Sequence, residues 1–307
     1  MAKVRANGTP NGGTTKKAKS TPGYLDLPAE LSRYESARIA VLPCPFDGTS
    51  TYGKGADRGP ARLIEASGQV EMWDMELDRK VCELGIVTLP AVKFVDDDPA
   101  KAVAAIERAA SRPVNDGKFL LGLGGEHSVS IGLTRAVRAK HGSFSLLHVD
   151  AHADLRADYH GSPYNHACAI HAIAEDDRKA KIVSIGIRGA SEEEMAYAKE
   201  RGVHLFPGHE LHRRKHWIRD AVKLLRDPVY VSIDLDGLDP SIMPSTGTPV
   251  PGGLGWRDVV DLVIEIGKRK KVIACDVNEL KPDPVNHHSE FLAALLSYKM
   301  LNSFVRA

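Results

Sequence analysis

The sequence has neither a long apolar run nor a paired set of cysteines. Its apolar segments stay shorter than the roughly 20 residues that a transmembrane helix needs. The four cysteines, Cys44, Cys82, Cys168 and Cys275, lie far apart. This spacing argues against a thiolate zinc site and a disulfide framework, and it is typical of a reducing cytoplasm. We therefore expect a cytoplasmic protein that does not bind a membrane.

An excess of charge of one sign is also missing. The 41 Lys and Arg residues balance 40 Asp and Glu residues, which leaves a formal net charge of +1. This balance gives no electrostatic reason to bind nucleic acid. Residues 1–22 contain no acidic residue and no periodic apolar pattern, and we predict a disordered basic tail there. No linker of changed composition interrupts residues 23–307, which predicts a single domain.

Short apolar runs alternate with longer segments of helical periodicity. Several of the runs lack in/out alternation, as is typical of strands covered on both faces. Segments such as "WRDVVDLVIEIGKRK" carry apolar residues at helical spacing. This alternation predicts an α/β fold, with a mostly parallel central sheet between two helical layers. The runs that predict strands are "RIAVLPCP", "LGIVTLP", "KFLLGLGG", "FSLLHVDAH", "KIVSIGIR", "VHLFP", "PVYVSIDLD" and "KVIACDVNEL".

Acidic and imidazole side chains follow several of these runs directly. Residues two apart on a strand point to the same side, so Asp150 pairs with His152 and Asp234 pairs with Asp236. Asp154 can return to that side as the chain leaves the sheet. His127, after a Gly-Gly turn, supplies a sixth candidate ligand. In open α/β sheets ligands bind beyond the carboxyl ends of the strands, which is where all these side chains stand.

The number of carboxylates indicates metal binding. Four carboxylates held close together repel one another unless cations neutralise them, and two divalent ions would do so. Imidazole with carboxylate oxygen favours Mn²⁺, with Ni²⁺, Co²⁺, Fe²⁺ or Zn²⁺ as competitors. The alternative is that these residues only cap loops and helices. His148, deeper on the same strand face as Asp150, is expected to support the ligands rather than bind metal.

The segments "GGEHS", "DAHAD", "SIDLDGLDPSIMPSTGTPVPGG" and "DVNEL" resemble the signature segments of the ureohydrolase family, which includes arginases and agmatinases. The resemblance runs from about residue 38 to the C-terminus. It implies a three-layer α/β/α sandwich, two Mn²⁺ ions per chain, hydrolysis of a guanidino group to urea, and a homotrimer or homohexamer. One metal would be bound by His127, Asp150, Asp154 and Asp234. The other would be bound by Asp150, His152, Asp234 and Asp236.

The same resemblance assigns roles around the metals. Glu279 of "DVNEL" matches the carboxylate that pairs with the substrate guanidinium. Glu279 and Asp154 are both expected to be catalytic. Ser162 and His166 of "SPYNH" match a substrate-binding Ser and a His that shuttles the proton, with His160 as the alternative shuttle. Thr248 of "STGTP" is expected beside the substrate.

Arg156 bears on the choice of substrate. Arginases carry an Asn two residues after the last aspartate ligand, and Arg156 stands there in this sequence. The form "GSPYNHA" is more similar to agmatinases, which predicts hydrolysis of agmatine to putrescine and urea. We then expect Arg156 to turn outward or into a salt bridge, whereas an inward Arg156 would favour a guanidino acid such as guanidinobutyrate. The sequence also leaves open arginine or guanidine as the substrate, a metal-dependent deacetylase activity and an inactive scaffold.

Overall fold

The fold is described from a computed structural model, which covers residues 23–306. The predicted tail over residues 1–22 lies outside the described residues. The chain forms one eight-stranded sheet with the order β2-β1-β3-β8-β7-β4-β5-β6, and every neighbouring pair is parallel. All eight predicted strands are confirmed. They are β1 Ile39–Cys44, β2 Ile86–Thr88, β3 Phe119–Gly124, β4 Ser145–Val149, β5 Ile182–Ile187, β6 His204–Pro207, β7 Val229–Asp234 and β8 Val272–Asn278.

Helices cover both faces of the sheet, so the predicted three-layer α/β/α sandwich is confirmed. Within residues 23–306 the helices are α1 Gly59–Ser67, α2 Pro99–Asn115, α3 Val129–His141, α4 Ala169–Asp176, α5 Glu192–Arg201, α6 Gly208–Leu211, α7 Trp217–Leu224, α8 Trp256–Arg269 and α9 His288–Phe304. α2, α3 and α4 pack together on one face, and α1, α7, α8 and α9 pack together on the other. None of the helices in the described part of the chain has the length and apolar character to cross a membrane.

Alternate residues of each central strand enter different cores. In β3, Leu121 and Leu123 pack into the core beneath α1, α8 and α9, whereas Leu120 packs against α2 and α3. All three side chains are fully buried. This arrangement explains why the strands show no polar face in the sequence.

Tight backbone packing at the end of β3 positions the loop that follows it. A Cβ atom on Gly124 would lie 2.0 Å from Oδ1 of Asn278 in β8 and 2.5 Å from Cγ2 of Val129 in α3. Only glycine fits between the neighbouring strand and the next helix. The tight turn therefore holds residues 125–128 directly over the carboxyl end of the sheet.

Candidate active site and metal centre

The predicted site residues lie at the carboxyl ends of four adjacent central strands, at one edge of the sheet. His127 follows β3, Asp150 follows β4, Asp234 ends β7, and Glu279 follows β8. These strands are neighbours in the order β3-β8-β7-β4. Because the sheet is parallel, their carboxyl ends open into the same crevice. The predicted constellation is therefore brought together from segments far apart in the chain.

The side chains form two compact groups that share Asp150. One contains His127, His148, Asp150 and Asp154, and the other contains Asp150, His152 and Asp236. Within each group one donor atom from every residue lies within 4.8 Å of the others. A carboxylate common to two such groups suits two cations held side by side. The donor set therefore fits the predicted pair of metals, with Asp150 between them.

Both histidine ligand candidates present Nδ1 to the carboxylates. His127 Nδ1 lies 2.9 Å from Asp154 Oδ2 and 3.1 Å from Asp150 Oδ2. His152 Nδ1 lies 3.0 Å from Asp236 Oδ2. Asp234 stands beside His127, with its Oδ2 at 3.5 Å from Nδ1. The predicted bridging role of Asp234 stays a prediction, because Asp234 is adjacent to the compact groups rather than within them.

The charges at the site are strongly perturbed. Burial raises the pKa of Asp234 well above its usual range, and the neighbouring carboxylates of Asp236 and Asp150 raise it further. Burial would also raise the pKa of Asp150, but hydrogen bonds from His127 and His148 outweigh it and hold that pKa well below its usual range. Such opposed shifts are typical of crowded sites that bind cations or perform catalysis.

Buried hydrogen bonds on the Nε2 side of the ring fix the orientation of His127. Its Nε2 lies 3.0 Å from Ser232 Oγ, whose hydroxyl donates to Asp276 Oδ1 at 2.6 Å. Tyr230 and Asn278 also donate to the Asp276 carboxylate, at 2.5 and 2.7 Å. Contacts of this kind set which imidazole nitrogen is offered to a metal. Nothing in the sequence signalled this network beyond the presence of Asp276 in "DVNEL".

A cavity of about 340 Å³ opens above the two groups. Nearly all the predicted site residues line it, and Thr51 adds a wall from the loop after β1. Asp150 is fully buried beneath. The predicted residues that line the cavity are His127, His152, Asp154, Arg156, His166, Asp234, Asp236, Thr248 and Glu279.

The sequence that builds this site matches a known protein family. The family model described as the arginase family matches residues 37–302. The chain belongs to the arginase family. It is 40% identical over 265 residues to the N(1)-aminopropylagmatine ureohydrolase of Thermus thermophilus, covering 86% of this chain and 89% of that protein. It is 34% identical to the agmatinase of Bacillus subtilis over 91% of this chain and 96% of that one.

A solved structure supports the same placement. The agmatine ureohydrolase of Thermoplasma volcanium superposes with a TM-score of 0.83 at 30% identity, covering 92% of this chain and 94% of that one. The expected resemblance to ureohydrolases is therefore confirmed, and with it the arginase-like fold.

Glu279, whose role toward the substrate stays a prediction, is held in an unusual backbone conformation. Its φ is +66°, a conformation that is uncommon for a residue other than glycine. The strain is held by two contacts: its backbone N–H donates to Gly125 O at 2.7 Å, and its Oε1 accepts the His127 backbone N–H at 2.8 Å. Its Oε2 takes part in no hydrogen bond within residues 23–306. One carboxylate oxygen thus faces the cavity region unpaired.

Arg156 is engaged by its own chain rather than left free. Its Nε lies 3.7 Å from Oε2 of Glu194, and its guanidinium lies 4.9 Å from the ring centroid of Tyr159. Glu194 is held in turn, because its two oxygens accept the backbone N–H groups of Leu155 and Ser191 at 3.0 and 2.8 Å. Arg156 therefore makes a salt bridge, one of the two arrangements that we expected for it, and it also lines the cavity; the tail of the substrate stays a prediction.

The residues after "DAHAD" divide into two sets. His166 lines the cavity, whereas His160 is exposed and contacts Tyr159 with the two rings tilted by 54° and their centroids 4.3 Å apart. Ser162 is not among the cavity-lining residues of the described chain, and its Oγ accepts the backbone N–H of Tyr164 at 3.1 Å. The structure thus supports the choice of His166 over His160, and it gives Ser162 a turn contact instead of a place on the cavity wall.

Sequence reasoning missed Glu126, Thr49 and Glu194. Glu126 is fully buried and accepts hydrogen bonds from the Thr49 hydroxyl and backbone. A Glu directly before a predicted metal-binding His was a signal, but its partner lies 77 residues away. Glu194 could have been found as the glutamate of a capping box, three residues after Ser191.

Proposed function

We propose that this arginase-family chain hydrolyses the guanidino group of a linear guanidine whose far end is an amine, releasing urea. The engagement of Arg156 by Glu194 and Tyr159 carries this proposal. A guanidino acid would need a free cation at the mouth of the cavity, and Arg156 is already paired there. Arginine and guanidinobutyrate are therefore disfavoured.

Two substrates belong to this class. Agmatine, the substrate expected from "GSPYNHA", would give putrescine and urea, and the Bacillus subtilis relative is named for it. N(1)-aminopropylagmatine would give the corresponding triamine and urea. The higher identity to the Thermus thermophilus ureohydrolase, 40% against 34%, favours the longer substrate. We propose N(1)-aminopropylagmatine as the better substrate and agmatine as the second.

The metal ligands proposed for two Mn²⁺ ions are His127, Asp150, His152, Asp154, Asp234 and Asp236. When bound, a pair of divalent cations lowers the pKa of a water molecule and so supplies a nucleophile at neutral pH. Asp150, common to both compact groups, would hold the two ions close together. Carboxylate and imidazole donors also accept Ni²⁺, Co²⁺, Fe²⁺ or Zn²⁺.

The other residues bind substrate and move the proton. Glu279 would accept hydrogen bonds from the guanidinium and orient its carbon toward the ligands, and Thr248 and Arg156 would shape the path of the tail. Burial lowers the pKa of His166 to about 4, so its imidazole is neutral at pH 7. A neutral imidazole can accept the proton that the attacking water loses and deliver it to the departing amine, which must leave protonated.

We further propose that residues 23–307 form a single catalytic domain, since one sheet and one family match span most of them. Four buried free thiols are compatible with a reducing cytoplasm. The expected homotrimer or homohexamer stays a prediction from the family resemblance.

Urea release by the Mn²⁺-loaded chain tests the proposal. The panel contains N(1)-aminopropylagmatine, agmatine, arginine, guanidinobutyrate and guanidine. We expect kcat/KM to be highest for the two amine-tailed substrates. A preference for guanidinobutyrate would show that Arg156 leaves Glu194 and binds a carboxylate. No urea from any substrate, with two metals bound, would overturn the ureohydrolase assignment.

A further inference from the structure

Glu126 and Thr49 connect the loop after β1 to His166. The fully buried Glu126 carboxylate accepts hydrogen bonds from the hydroxyls of Thr49 and Ser128, both at 2.6 Å to Oε1. Its Oε2 accepts the backbone N–H groups of Thr49 and Ser50 at 2.6 and 3.1 Å. Thr49 Oγ1 also contacts His166 twice, at 2.9 Å from its backbone nitrogen and 3.2 Å from Nδ1.

The direction of these hydrogen bonds follows from the number of protons available. A threonine hydroxyl has one proton to donate and can accept two hydrogen bonds. Burial raises the pKa of Glu126 to about 7, but two backbone N–H groups and two hydroxyls surround its oxygens, and in the ionised form that they favour the carboxylate only accepts and takes the Thr49 proton. Thr49 Oγ1 must then accept from both His166 groups. If Nδ1 carried no proton, its lone pair would face a lone pair of Oγ1. With Glu126 ionised, the contact therefore requires Nδ1–H.

The ring nitrogen that exchanges protons is thereby fixed as Nε2. With Nδ1–H donating to Thr49, the neutral ring of His166 has its lone pair on Nε2. Nε2 makes no hydrogen bond within residues 23–306, and His166 lines the cavity. A shuttle needs one nitrogen that can both accept and release a proton, and this arrangement leaves only Nε2 for that purpose.

We propose that Glu126 and Thr49 are positioning residues, which hold His166 as the Nδ1–H tautomer and so assign the shuttled proton to Nε2. This inference rests on the proposed function, in which His166 moves the proton. Neither residue touches the reacting atoms. Each acts through the next: Glu126 orients the Thr49 hydroxyl, and the hydroxyl orients the imidazole.

A purely structural role predicts something different. Glu126 also anchors the loop after β1 through the backbone N–H groups of Thr49 and Ser50. These backbone contacts do not depend on the Thr49 side chain, so Thr49→Val removes the hydroxyl while leaving the anchor. Thr49→Ser keeps the hydroxyl and removes only a methyl group. Ser50→Ala is the matched control, since Ser50 offers Glu126 only its backbone.

The experiment compares the wild-type chain, Thr49→Val, Thr49→Ser and Ser50→Ala, each loaded with Mn²⁺ and checked for metal content. For Thr49→Val we expect a fall in kcat of about 10- to 100-fold, part of what a general acid–base group supplies, with KM changed less than about threefold. Thr49→Ser and Ser50→Ala should stay within about threefold of the wild-type chain. A Thr49→Val variant with wild-type kcat, or a Thr49→Ser variant as slow as Thr49→Val, would overturn the inference.

A second measurement does not depend on turnover. Long-range ¹H–¹⁵N spectra of the Zn²⁺-loaded chain, which is diamagnetic, report which nitrogen of each histidine carries the proton. The His166 signal is identified by its loss in His166→Asn. We expect the Nδ1–H tautomer in the wild-type chain and Thr49→Ser, and a changed tautomer population in Thr49→Val. An Nε2–H tautomer in the wild-type chain refutes the inference, even if the proposed activity holds. Absence of urea with the expected tautomer refutes the activity alone.

Discussion

Metal loading should release protons, because several proposed ligands bind protons when no metal is present. Burial would lower the pKa of His152, but hydrogen bonds with Asp150 and Asp236 outweigh it and raise the pKa to about 11. Burial likewise opposes protonation of His127, yet Asp150 and Asp154 raise its pKa well above its usual range. The His152 imidazole is therefore cationic at pH 7, and the pKa of His127 is shifted in the same direction.

The number of protons follows from which ligands must lose one. A metal ligand binds in its deprotonated form, so His127, His152 and Asp234, whose pKa values are all raised, release protons when metal binds. Asp154, with a pKa raised to about 6 by burial and by Asp150, is already mostly ionised and adds only about a tenth of a proton. We expect a net release of protons when both sites fill, and the water whose pKa the bound cations lower adds to it.

Calorimetric titration of Mn²⁺ into the metal-free chain at pH 7 measures this number. The slope of the observed heat against the ionisation enthalpy of the buffer gives the protons released. Each proton also strengthens binding by about 1.4 kcal/mol per pH unit as pH rises. His152→Asn should lower the count by about one, and His166→Asn should leave it unchanged, because His166, with a pKa of about 4, is neutral at pH 7.

A slope near zero in the wild-type chain would refute the reasoning. It would mean that His127, His152 and Asp234 hold no protons before the metal arrives, and that the crowded carboxylates do not stabilise the imidazolium ions. A count that His152→Asn does not change would instead remove His152 from the ligands.

Three further outcomes are expected. Asp150→Asn should lose both metals and lower urea release at least about 1000-fold, since the carboxylate is shared; two ions per chain by metal analysis would contradict this. Arg156→Ala should change kcat/KM for agmatine by less than about threefold. It should change the unfolding free energy by less than about 1 kcal/mol, because the ion pair with Glu194 is partly exposed. A tenfold loss of activity would show that Arg156 contacts the substrate. Gly124→Ala should destabilise the chain by about 1–3 kcal/mol in denaturant titrations, because a Cβ would lie 2.0 Å from Asn278 Oδ1. The control Gly68→Ala, with its nearest neighbour at 3.5 Å, should stay within about 0.5 kcal/mol of the wild-type value.

The strands and the metal ligand candidates could be predicted because their signals are local. Asp150 with His152, and Asp234 with Asp236, stand two residues apart where β4 and β7 end, and strand alternation correctly predicted that each pair lies close together although three of the four residues lie just beyond the strands. Runs of buried residues such as those of β3 indicated cover on both faces. These patterns need no knowledge of which segments meet in the folded chain.

The supporting contacts could not be predicted, because each joins segments that only the tertiary fold brings together. Thr49 meets His166 across 117 residues, and His127 meets Glu279 across 152 residues. The position of Ser162 depended on a local competition instead. Its hydroxyl caps the turn at Tyr164, and a pattern match to "SPYNH" does not show which partner a short polar side chain takes.

The place of β8 in the sheet has a consequence for synthesis. β8, Val272–Asn278, is the last of the described strands along the chain, yet it lies between β3 and β7 at the middle of the sheet. A nascent chain that ends before residue 272 lacks the strand that joins β3 to β7. His127, after β3, is then separated from the other ligand candidates, which all belong to or follow β4 and β7. The group of Asp150, His152 and Asp236 needs no residue of β8, whereas the group that includes His127 should form only after β8 has been synthesised and has joined the two halves.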